Sequence, residues 1–376
     1  MTSVIHKRLE SLDILRGFDL FCLVGLETLI HSLRSAIHTP FYDSIVHHYF
    51  DHIEWAGFSA WDLVMPLFMF MAGVSMPFAF GKYADKKLLY RRIVKRVLLL
   101  WVFGMICQGN LLALDPQHVY LYSNTLQAIA MGYLIAALLL LHTRKTVQVT
   151  VAVALLLLYW AAMEWGNIGG YGGGDYTPDA NLAEGIDRLV LGRFRDMAQV
   201  RDGVVVFAEY YRYTWILSSL TFGVTVLTGV FAGDILRNQT LSSKNKVVLL
   251  TAIGALMLAT AWIWDFRLPI IKKIWTSSMV MLSSGYCFLL MALFYWWIDH
   301  KGHRRGLQWL KVYGKNSIVA YMLAMTIRFG CISESVFFGL KQYIGDYYSA
   351  LIAASNAVII YLILYTLYKK KLFLRV

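Results

Sequence analysis

Charged side chains are scarce in this sequence. Only 15% of its 376 residues are Asp, Glu, Lys or Arg, whereas a soluble domain carries roughly 25%. Hydrophobic residues make up 58% of the chain, and its mean hydropathy is +0.55. Because the low charge extends over the whole length, no separate soluble domain stands out. Residues 1–376 are therefore expected to form a single membrane domain.

Cysteine pairs, zinc motifs and nucleotide-binding loops are also missing. The four cysteines are far apart, form no CxxC pair, and are interpreted as small buried hydrophobic residues. His48 and His52 have i,i+4 spacing but no HExxH motif, so no metal is expected. The absence of GxGxxG, Walker A and GxSxG motifs argues against common nucleotide-binding and hydrolase folds. The first thirteen residues are too polar for a signal peptide.

The chain instead contains ten long apolar segments. A helix needs about 20 mostly apolar residues to cross the hydrocarbon core of a bilayer. The segments that fit this length are 12–33, 58–80, 97–114, 124–142, 147–165, 215–236, 247–264, 276–298, 316–331 and 347–368. We therefore predict an all-α fold, a polytopic membrane helix bundle of about ten transmembrane helices.

Lysine and arginine are distributed unevenly between the two predicted sides of the membrane. If the amino terminus is cytoplasmic, 23 of the 35 basic residues fall on the cytoplasmic side. Cytoplasmic loops carry such an excess, so both termini are predicted to be cytoplasmic. This asymmetry also explains the net charge of +12 without a nucleic-acid partner. The two long external segments are then residues 34–57 and 166–214.

Polar residues inside predicted spans are costly and are candidates for function. The first span contains Arg16, Asp19 and Glu27. Glu27 has no Lys or Arg one helical turn away, so its partner must come from elsewhere in the protein. A catalytic and a structural role are equally open for Glu27.

His52 is the strongest single candidate. An imidazole titrates near neutral pH, so it can take a proton from an amine or hydroxyl and return it to a leaving group. Asp62, at the start of the second span, could fix the tautomer of His52 and stabilise the imidazolium, as in a catalytic triad. Considered alone, a histidine at a membrane boundary is more often a solvated surface residue.

Other polar residues stand where predicted spans begin. Asn124 and Gln127 open the fourth span, the run from Lys272 to Ser278 opens the eighth, and Asn316 opens the ninth. Each could equally be a helix cap or an interhelical hydrogen bond. The basic run from Lys82 to Arg96 is explained as simply by contact with the membrane surface.

Several short motifs occur together in a fixed order. They read S-x-D-x-x-R-G, H-x-x-W-x-G, D-L-x-x-P-x-F and G-x-S, followed by LQAIAMGYL, GIDRLVLG, KKIWTSS and GKNSIVAY. The first four consist of Ser11, Asp13, Arg16, Gly17, His52, Trp55, Gly57, Asp62, Leu63, Pro66, Phe68, Gly73 and Ser75. In content and order, these blocks resemble the heparan-α-glucosaminide N-acetyltransferase family and its bacterial relatives.

This resemblance implies a transmembrane acetyltransferase in the bacterial inner membrane. It would move acetyl from cytoplasmic acetyl-CoA across the lipid bilayer to an external amino sugar. The family's active histidine and aspartate correspond to His52 and Asp62. Glu27 stands where the animal enzyme has asparagine, and a carboxylate could act as an additional catalytic base.

The acceptor-binding residues are also expectations from the resemblance, whereas the basic residues for acetyl-CoA are chosen because its phosphates need cationic partners at the cytoplasmic face. The predicted acceptor-binding residues are Trp55, Asn124, Gln127, Asp187, Arg188, Lys273, Trp275 and Ser278. The predicted acetyl-CoA-binding residues are Arg16, Arg91, Arg92, Lys95 and Asn316.

Two other functions are compatible with the same sequence. One is a sugar or amino-sugar transporter of the inner membrane, and the other is an O-acyltransferase of a cell-envelope glycan. A transporter needs a site reached alternately from both faces, whereas the His52–Asp62 block is predicted on one side only. A homodimer is one assembly that the sequence permits.

Cysteine labelling tests the predicted topology. In a background without the natural cysteines, Lys86→Cys should react with a membrane-impermeant maleimide only after the membrane is opened. A cysteine in the external loop 166–214 should react in intact cells and serves as the control. Labelling of the Lys86→Cys variant in intact cells would overturn the topology.

Overall fold

The computed structural model describes residues 9–81, 83, 85–108, 111–209 and 212–374. Four basic residues counted in the topology, Lys7, Arg8, Lys82 and Arg375, lie outside this part of the chain. The described residues form two compact units. Of the described residues, the first unit contains those within 9–53, 59–64 and 293–374, and the second contains those within 54–58 and 65–292.

The fold is helical almost throughout, which confirms the predicted all-α class. The helices are α1 Glu10–Phe21, α2 Glu27–Leu33, α3 Pro40–Ile45, α4 Val64–Phe80, α5 Lys86–Cys107, α6 Thr125–His142, α7 Lys145–Trp165, α8 Leu182–Leu191, α9 Ser218–Arg237, α10 Ser243–Asp265, α11 Ser277–Phe294, α12 Gln308–Lys315, α13 Ser317–Thr326, α14 Gly330–Phe337, α15 Lys341–Ile344 and α16 Tyr348–Lys369. Two small antiparallel hairpins pair β1 Asn167–Ile168 with β2 Tyr171–Gly172 and β3 Gln199–Arg201 with β4 Val204–Val206.

Seven helical segments of the described chain are long and apolar enough to cross a membrane. They are Ala60–Phe80, Thr125–His142, Lys145–Trp165, Ser218–Arg237, Ser243–Asp265, Ser277–His300 and Gly330–Lys369. Each overlaps one of the ten predicted spans, and the polytopic helical bundle is confirmed. The location of the termini stays a prediction.

The other three predicted spans are helical but differ from a simple apolar span. The first, 12–33, is interrupted by a π-helical turn at Cys22–Leu26 and contains Arg16, Asp19 and Glu27. In the segment 97–114, α5 ends at Cys107, so few apolar helical residues follow its basic start. In the segment 316–331, α13 has only ten residues.

In the first unit, α1 packs very closely on α12. A Cβ atom at Gly17 would overlap the carbonyl oxygen of Leu310, and one at Gly314 would overlap that of Asp13. The two glycines therefore allow the two backbones to approach each other. Asp299 satisfies the start of α1, because its carboxylate accepts hydrogen bonds from the N–H groups of Glu10 (3.3 Å) and Ser11 (3.1 Å).

Glycine allows a second close approach in the second unit, between α4 and α9. Cβ atoms at Gly73 and Gly229 would overlap the carbonyl oxygens of Val226 and Phe70. Small residues at helix interfaces are typical of membrane proteins, where dispersion contacts rather than water exclusion hold helices together. Between α7 and α9 the chain forms a lobe from β1, β2, α8, β3 and β4, in which α8 packs on α7.

Replacing Gly17 with alanine tests the α1–α12 contact. Because the obstructing atom belongs to the backbone, the helices must separate, and overpacking of this kind costs about 1–3 kcal/mol. We expect Gly17→Ala to lower the thermal unfolding midpoint of the purified protein. Gly330→Ala is the matched control, since the nearest heavy atom to its Cβ would be 3.8 Å away. Equal midpoints for the two variants would contradict this account.

Candidate active site

His52 and Asp62 form a hydrogen-bonded pair in the first unit. His52 follows the π-helical turn Val46–Phe50, and Asp62 lies in the 3₁₀ turn Ala60–Leu63 that leads into α4. Nδ1 of His52 is 2.8 Å from Oδ1 of Asp62. The His52 side chain is 42% exposed and that of Asp62 only 1%. The predicted pair is therefore assembled with its carboxylate buried and its imidazole accessible.

Asp62 is held in place by further donors around its second oxygen. Oδ2 accepts hydrogen bonds from the N–H of Ser59 (3.0 Å), the hydroxyl of Ser59 (3.2 Å) and the N–H of Ile53 (3.4 Å). These contacts belong to a capping box, in which the Ser59 hydroxyl also accepts from the N–H of Asp62. Because Asp62 acts as an acceptor, Nδ1 of His52 carries the proton in their bond and Nε2 is the basic nitrogen.

A group of charged residues precedes His52. Asp51 lies 3.6 Å from Nδ1 of His31, 3.8 Å from Nη1 of Arg34 and 3.5 Å from Nδ1 of His47. Arg34 also donates to Asp43 at 2.8 Å. These contacts connect α2 to the segment that carries His52. Sequence reasoning missed Asp51 and Arg34, and the only signal for them was the run of histidines around Asp51.

Glu27 lies in the same unit and begins α2 directly after the π-helical turn. Its side chain is half-buried. Within the described residues, no hydrogen bond or ion pair involves its carboxylate. An unpaired carboxylate within a predicted membrane span is costly. This cost makes Glu27 a candidate for function.

Trp55 belongs to the second unit, and its side chain is anchored within that unit. Its indole N–H donates to the carbonyl of Tyr176 at 2.8 Å, and its ring packs on a core that includes Tyr159 and Ile274. Beside it, Ala56 pairs with Ile271, and Gly57 donates to Ile270 at 2.8 Å.

Asn124 and Gln127 cap the start of α6. Oδ1 of Asn124 accepts from the N–H of Leu126, and Oε1 of Gln127 accepts from the N–H groups of Ser123 and Asn124. The amide nitrogen of Gln127 donates to Leu121 at 2.7 Å. The capping role that the sequence allowed is confirmed, while an acceptor-binding role stays a prediction.

The KKIWTSS segment forms a buried turn before α11. Trp275 is fully buried in the left-handed region at φ 52°, which is unfavourable for a bulky side chain, and its indole N–H donates to Thr225 at 3.0 Å. Ser278 donates to the carbonyl of Pro269 at 3.1 Å, and the carbonyl of Lys273 accepts from Thr214. Sequence reasoning identified this segment but not its backbone strain.

Asp187 and Arg188 have different partners in α8. Both oxygens of the fully buried Asp187 accept backbone hydrogen bonds, from Trp215 at 2.8 Å and Ile216 at 2.9 Å. Arg188 donates to Glu184 at 2.6 Å. Glu184 is also 2.5 Å from the buried Arg195, which the sequence analysis missed. These contacts hold the lobe of the second unit together.

The residues predicted to bind acetyl-CoA differ in burial and in their contacts. Asn316 is buried and donates to the carbonyl of Leu372 at 3.1 Å, while Arg16 is half-buried in α1. In α5, the guanidinium of Arg92 donates to the hydroxyl of Tyr83. Arg91 and Lys95 are exposed on α5.

The structure thus defines a polytopic helical membrane protein with an accessible histidine held by a buried aspartate. Residues 8–169 match the family model described as heparan-alpha-glucosaminide N-acetyltransferase, catalytic. The resemblance to this family predicted from the motifs is confirmed. The matched segment contains Glu27, His52, Trp55 and Asp62, and it ends before Asp187.

Two full-length relatives extend the similarity beyond that segment. The heparan-alpha-glucosaminide N-acetyltransferase of Homo sapiens is 26% identical over 370 residues, covering 85% of this chain and 53% of the human protein. That of Mus musculus is 25% identical over 424 residues, covering 98% of this chain and 61% of the mouse protein. The chain therefore spans only about half to three fifths of the length of these distant relatives.

The buried carboxyl of Asp187 predicts a pH-dependent stability. Burial raises the pKa of Asp187 from 3.8 to about 7, against the opposing effects of the Ile216 N–H, Arg195 and the Trp215 N–H. Between these two values the unfolded chain has released the proton and the folded chain has kept it. The stabilising contribution is therefore complete below about pH 4 and is lost as the pH rises through about 7.

Asp187→Asn should remove this part of the pH dependence, because its amide does not titrate. The measurement is the unfolding midpoint of each purified protein between pH 4 and 8. Asp202→Asn, at an exposed position of the same lobe, is the control and should retain the wild-type profile. Parallel profiles for wild type and Asp187→Asn would contradict the prediction.

Proposed function

We propose that this protein is a membrane acetyltransferase that transfers acetyl from acetyl-CoA to an amino sugar on the external side of the membrane. The observation that carries the proposal is the 2.8 Å bond between His52 and Asp62, inside the segment that matches the catalytic family model. An accessible imidazole oriented by a buried carboxylate suits proton transfer.

The chemistry follows from the state of the amine acceptor. At neutral pH an amine is mostly protonated, and it becomes a nucleophile when Nε2 of His52 removes a proton. Its nitrogen then attacks the thioester carbon, a tetrahedral intermediate forms, and the carbon–sulfur bond breaks. The imidazolium returns the proton to the departing CoA thiolate, and Asp62 stabilises the imidazolium meanwhile.

Glu27 is proposed as a second base. Its carboxylate has no protein partner among the described residues, and it belongs to the same unit as His52. An ammonium acceptor must lose one proton before attack and another after it, so two bases can share this work. The asparagine expected at this place in the animal enzyme could only hydrogen-bond to the amine.

The acceptor residues stay a proposal that rests on the family resemblance. In most of them the polar atoms already contact the protein, as in Gln127 and Asp187. Such residues would shape the site and not bind sugar directly. Trp55 retains a half-buried aromatic ring three residues after His52, and aromatic rings can pack on the apolar faces of sugars.

Two arginines of α5 are the best candidates among the residues proposed to bind the phosphates of acetyl-CoA. The phosphates of CoA require charge-assisted hydrogen bonds, which arginine supplies best. Arg92 contacts Tyr83, and the guanidinium of Arg96 lies 4.3 Å from the ring centre of Tyr133. A guanidinium carries five N–H donors, so each arginine keeps donors for a phosphate, and Nε of Arg96 is buried without a hydrogen-bond partner among the described residues. We assign the phosphates to these two arginines, with Arg16 and Asn316 as further candidates.

Transfer of labelled acetyl from acetyl-CoA by the purified protein tests the proposal. General acid–base groups contribute about 10²–10⁴-fold to rate, so His52→Ala should reduce turnover about 100-fold or more. Asp62→Asn should also be severely impaired, because an amide orients the imidazole wrongly. His48→Ala is the matched control, since His48 is an exposed neighbour that contacts Ser44. Near-full turnover of His52→Ala would exclude the assigned role.

The choice of acceptors separates this function from the alternatives. A panel of amino sugars and hydroxyl-only sugars should give N-acetylated product from the amines. Product from hydroxyl acceptors alone would identify an O-acyltransferase. Sugar uptake into vesicles without any acetyl transfer would identify a transporter.

A further inference from the structure

One face of α5 carries an uncompensated row of cations. Lys86, Lys87, Arg91 and Lys95 are all exposed. Their consecutive spacings of one, four and four residues place Lys87, Arg91 and Lys95 along one side of the helix, with Lys86 at the edge of that side. Within the described residues, none of the four forms an ion pair or a side-chain hydrogen bond. A cluster of like charges without an internal partner attracts an anionic ligand.

The same face becomes apolar toward the end of the helix. Val94 is 53% exposed and Leu98 is 60% exposed. Together with the four cations, Tyr90 and Leu99 they line a shallow, open groove of about 850 Å³ along α5, and all of its lining comes from this one helix. Leu89, Ile93 and Leu100 on the opposite side of α5 are buried. The groove is thus mainly cationic at its start and mainly apolar toward Leu98, with Lys95 between Val94 and Leu98.

The other two cations of α5 have partners on its remaining side. Arg92 donates to the hydroxyl of Tyr83, and Arg96 lies over the ring of Tyr133. The helix therefore separates its basic residues into two sets with different surroundings. The two arginines proposed above for the donor phosphates are distinct from the four residues of the groove.

We propose that this groove binds one anionic phospholipid. Its phosphate would lie among Lys87, Arg91 and Lys95, and its acyl chains would cover Val94 and Leu98. The cationic stretch from Lys86 to Lys95 is about 13 Å long at about 1.5 Å per residue. Long basic side chains can reach the headgroup layer from such a stretch while their methylene groups stay in hydrocarbon.

Charge complementarity and shape favour a lipid over a soluble phosphate compound. A soluble phosphate would pair with the cations but leave Val94 and Leu98 uncovered. A zwitterionic lipid would cover the apolar end but leave several positive charges uncompensated. Only an anionic lipid satisfies both ends, and this binding is independent of the proposed acetyl transfer.

Native mass spectrometry of the full-length protein tests the proposal. The protein is released from nanodiscs containing dioleoyl-phosphatidylglycerol or dioleoyl-phosphatidylcholine, and the retained lipid is counted. We expect one retained phosphatidylglycerol per protomer and no comparable retention of phosphatidylcholine. In the variant Lys87→Gln/Arg91→Gln/Lys95→Gln, retention should fall about tenfold or more, since each surface cation contributes to anionic-lipid binding.

A second triple variant controls for net charge. Arg144→Gln/Lys244→Gln/Lys370→Gln removes three exposed cations elsewhere and should retain phosphatidylglycerol like the wild type. Equal retention of both lipids by the wild type would overturn the proposal, as would equal loss in both variants. A raised Km for acetyl-CoA in the α5 variant with unchanged lipid retention would also overturn it and assign the groove to the donor. If that variant does not fold, the wild-type comparison of the two lipids decides.

Discussion

A polar group within hydrocarbon has no water to bind, so its hydrogen-bonding partner must come from the protein. This constraint accounts for the helical fold and for much of its polar detail. Asp299 satisfies the start of α1, and Gln127 satisfies the start of α6. In the lobe outside the spans, the buried Asp187 likewise accepts hydrogen bonds from the chain that leads into α9, because a protein interior also excludes water. Many polar side chains that the sequence suggests for function therefore make hydrogen bonds that stabilise the fold.

The same constraint distinguishes His52 and Glu27 from the other candidates. Asp62 is buried among donors, and one of these donors is an imidazole that remains accessible. The bond fixes the orientation of His52 and makes Nε2 its basic nitrogen. Glu27 differs because its carboxylate meets no protein partner in the described chain. A charged side chain that lies in a predicted span and has no structural partner among the described residues is a strong candidate for a catalytic role.

In helix α5, the position of an arginine around the helix axis decides which groups it contacts. Arg91 and Arg92 are neighbours in sequence and were predicted to serve the same ligand. A rotation of about 100° per residue directs them to different surroundings. Arg92 meets Tyr83, whereas Arg91 joins an exposed cationic groove. The residues proposed for a CoA phosphate and those proposed for a lipid phosphate thus lie on different sides of one helix.

The sequence by itself determined the class of protein and the central pair. Hydrophobic length is a local property, so seven of the ten predicted spans correspond to long apolar helices. The motif order identified His52 and Asp62, which lie only ten residues apart and close through one turn. Tertiary structure alone decided the partners of Asp187, the strain at Trp275 and the ion pairs of Asp51. Most of these depend on atoms distant in sequence, and the left-handed turn at Trp275 is held by its buried surroundings, so neither hydropathy nor spacing could specify them.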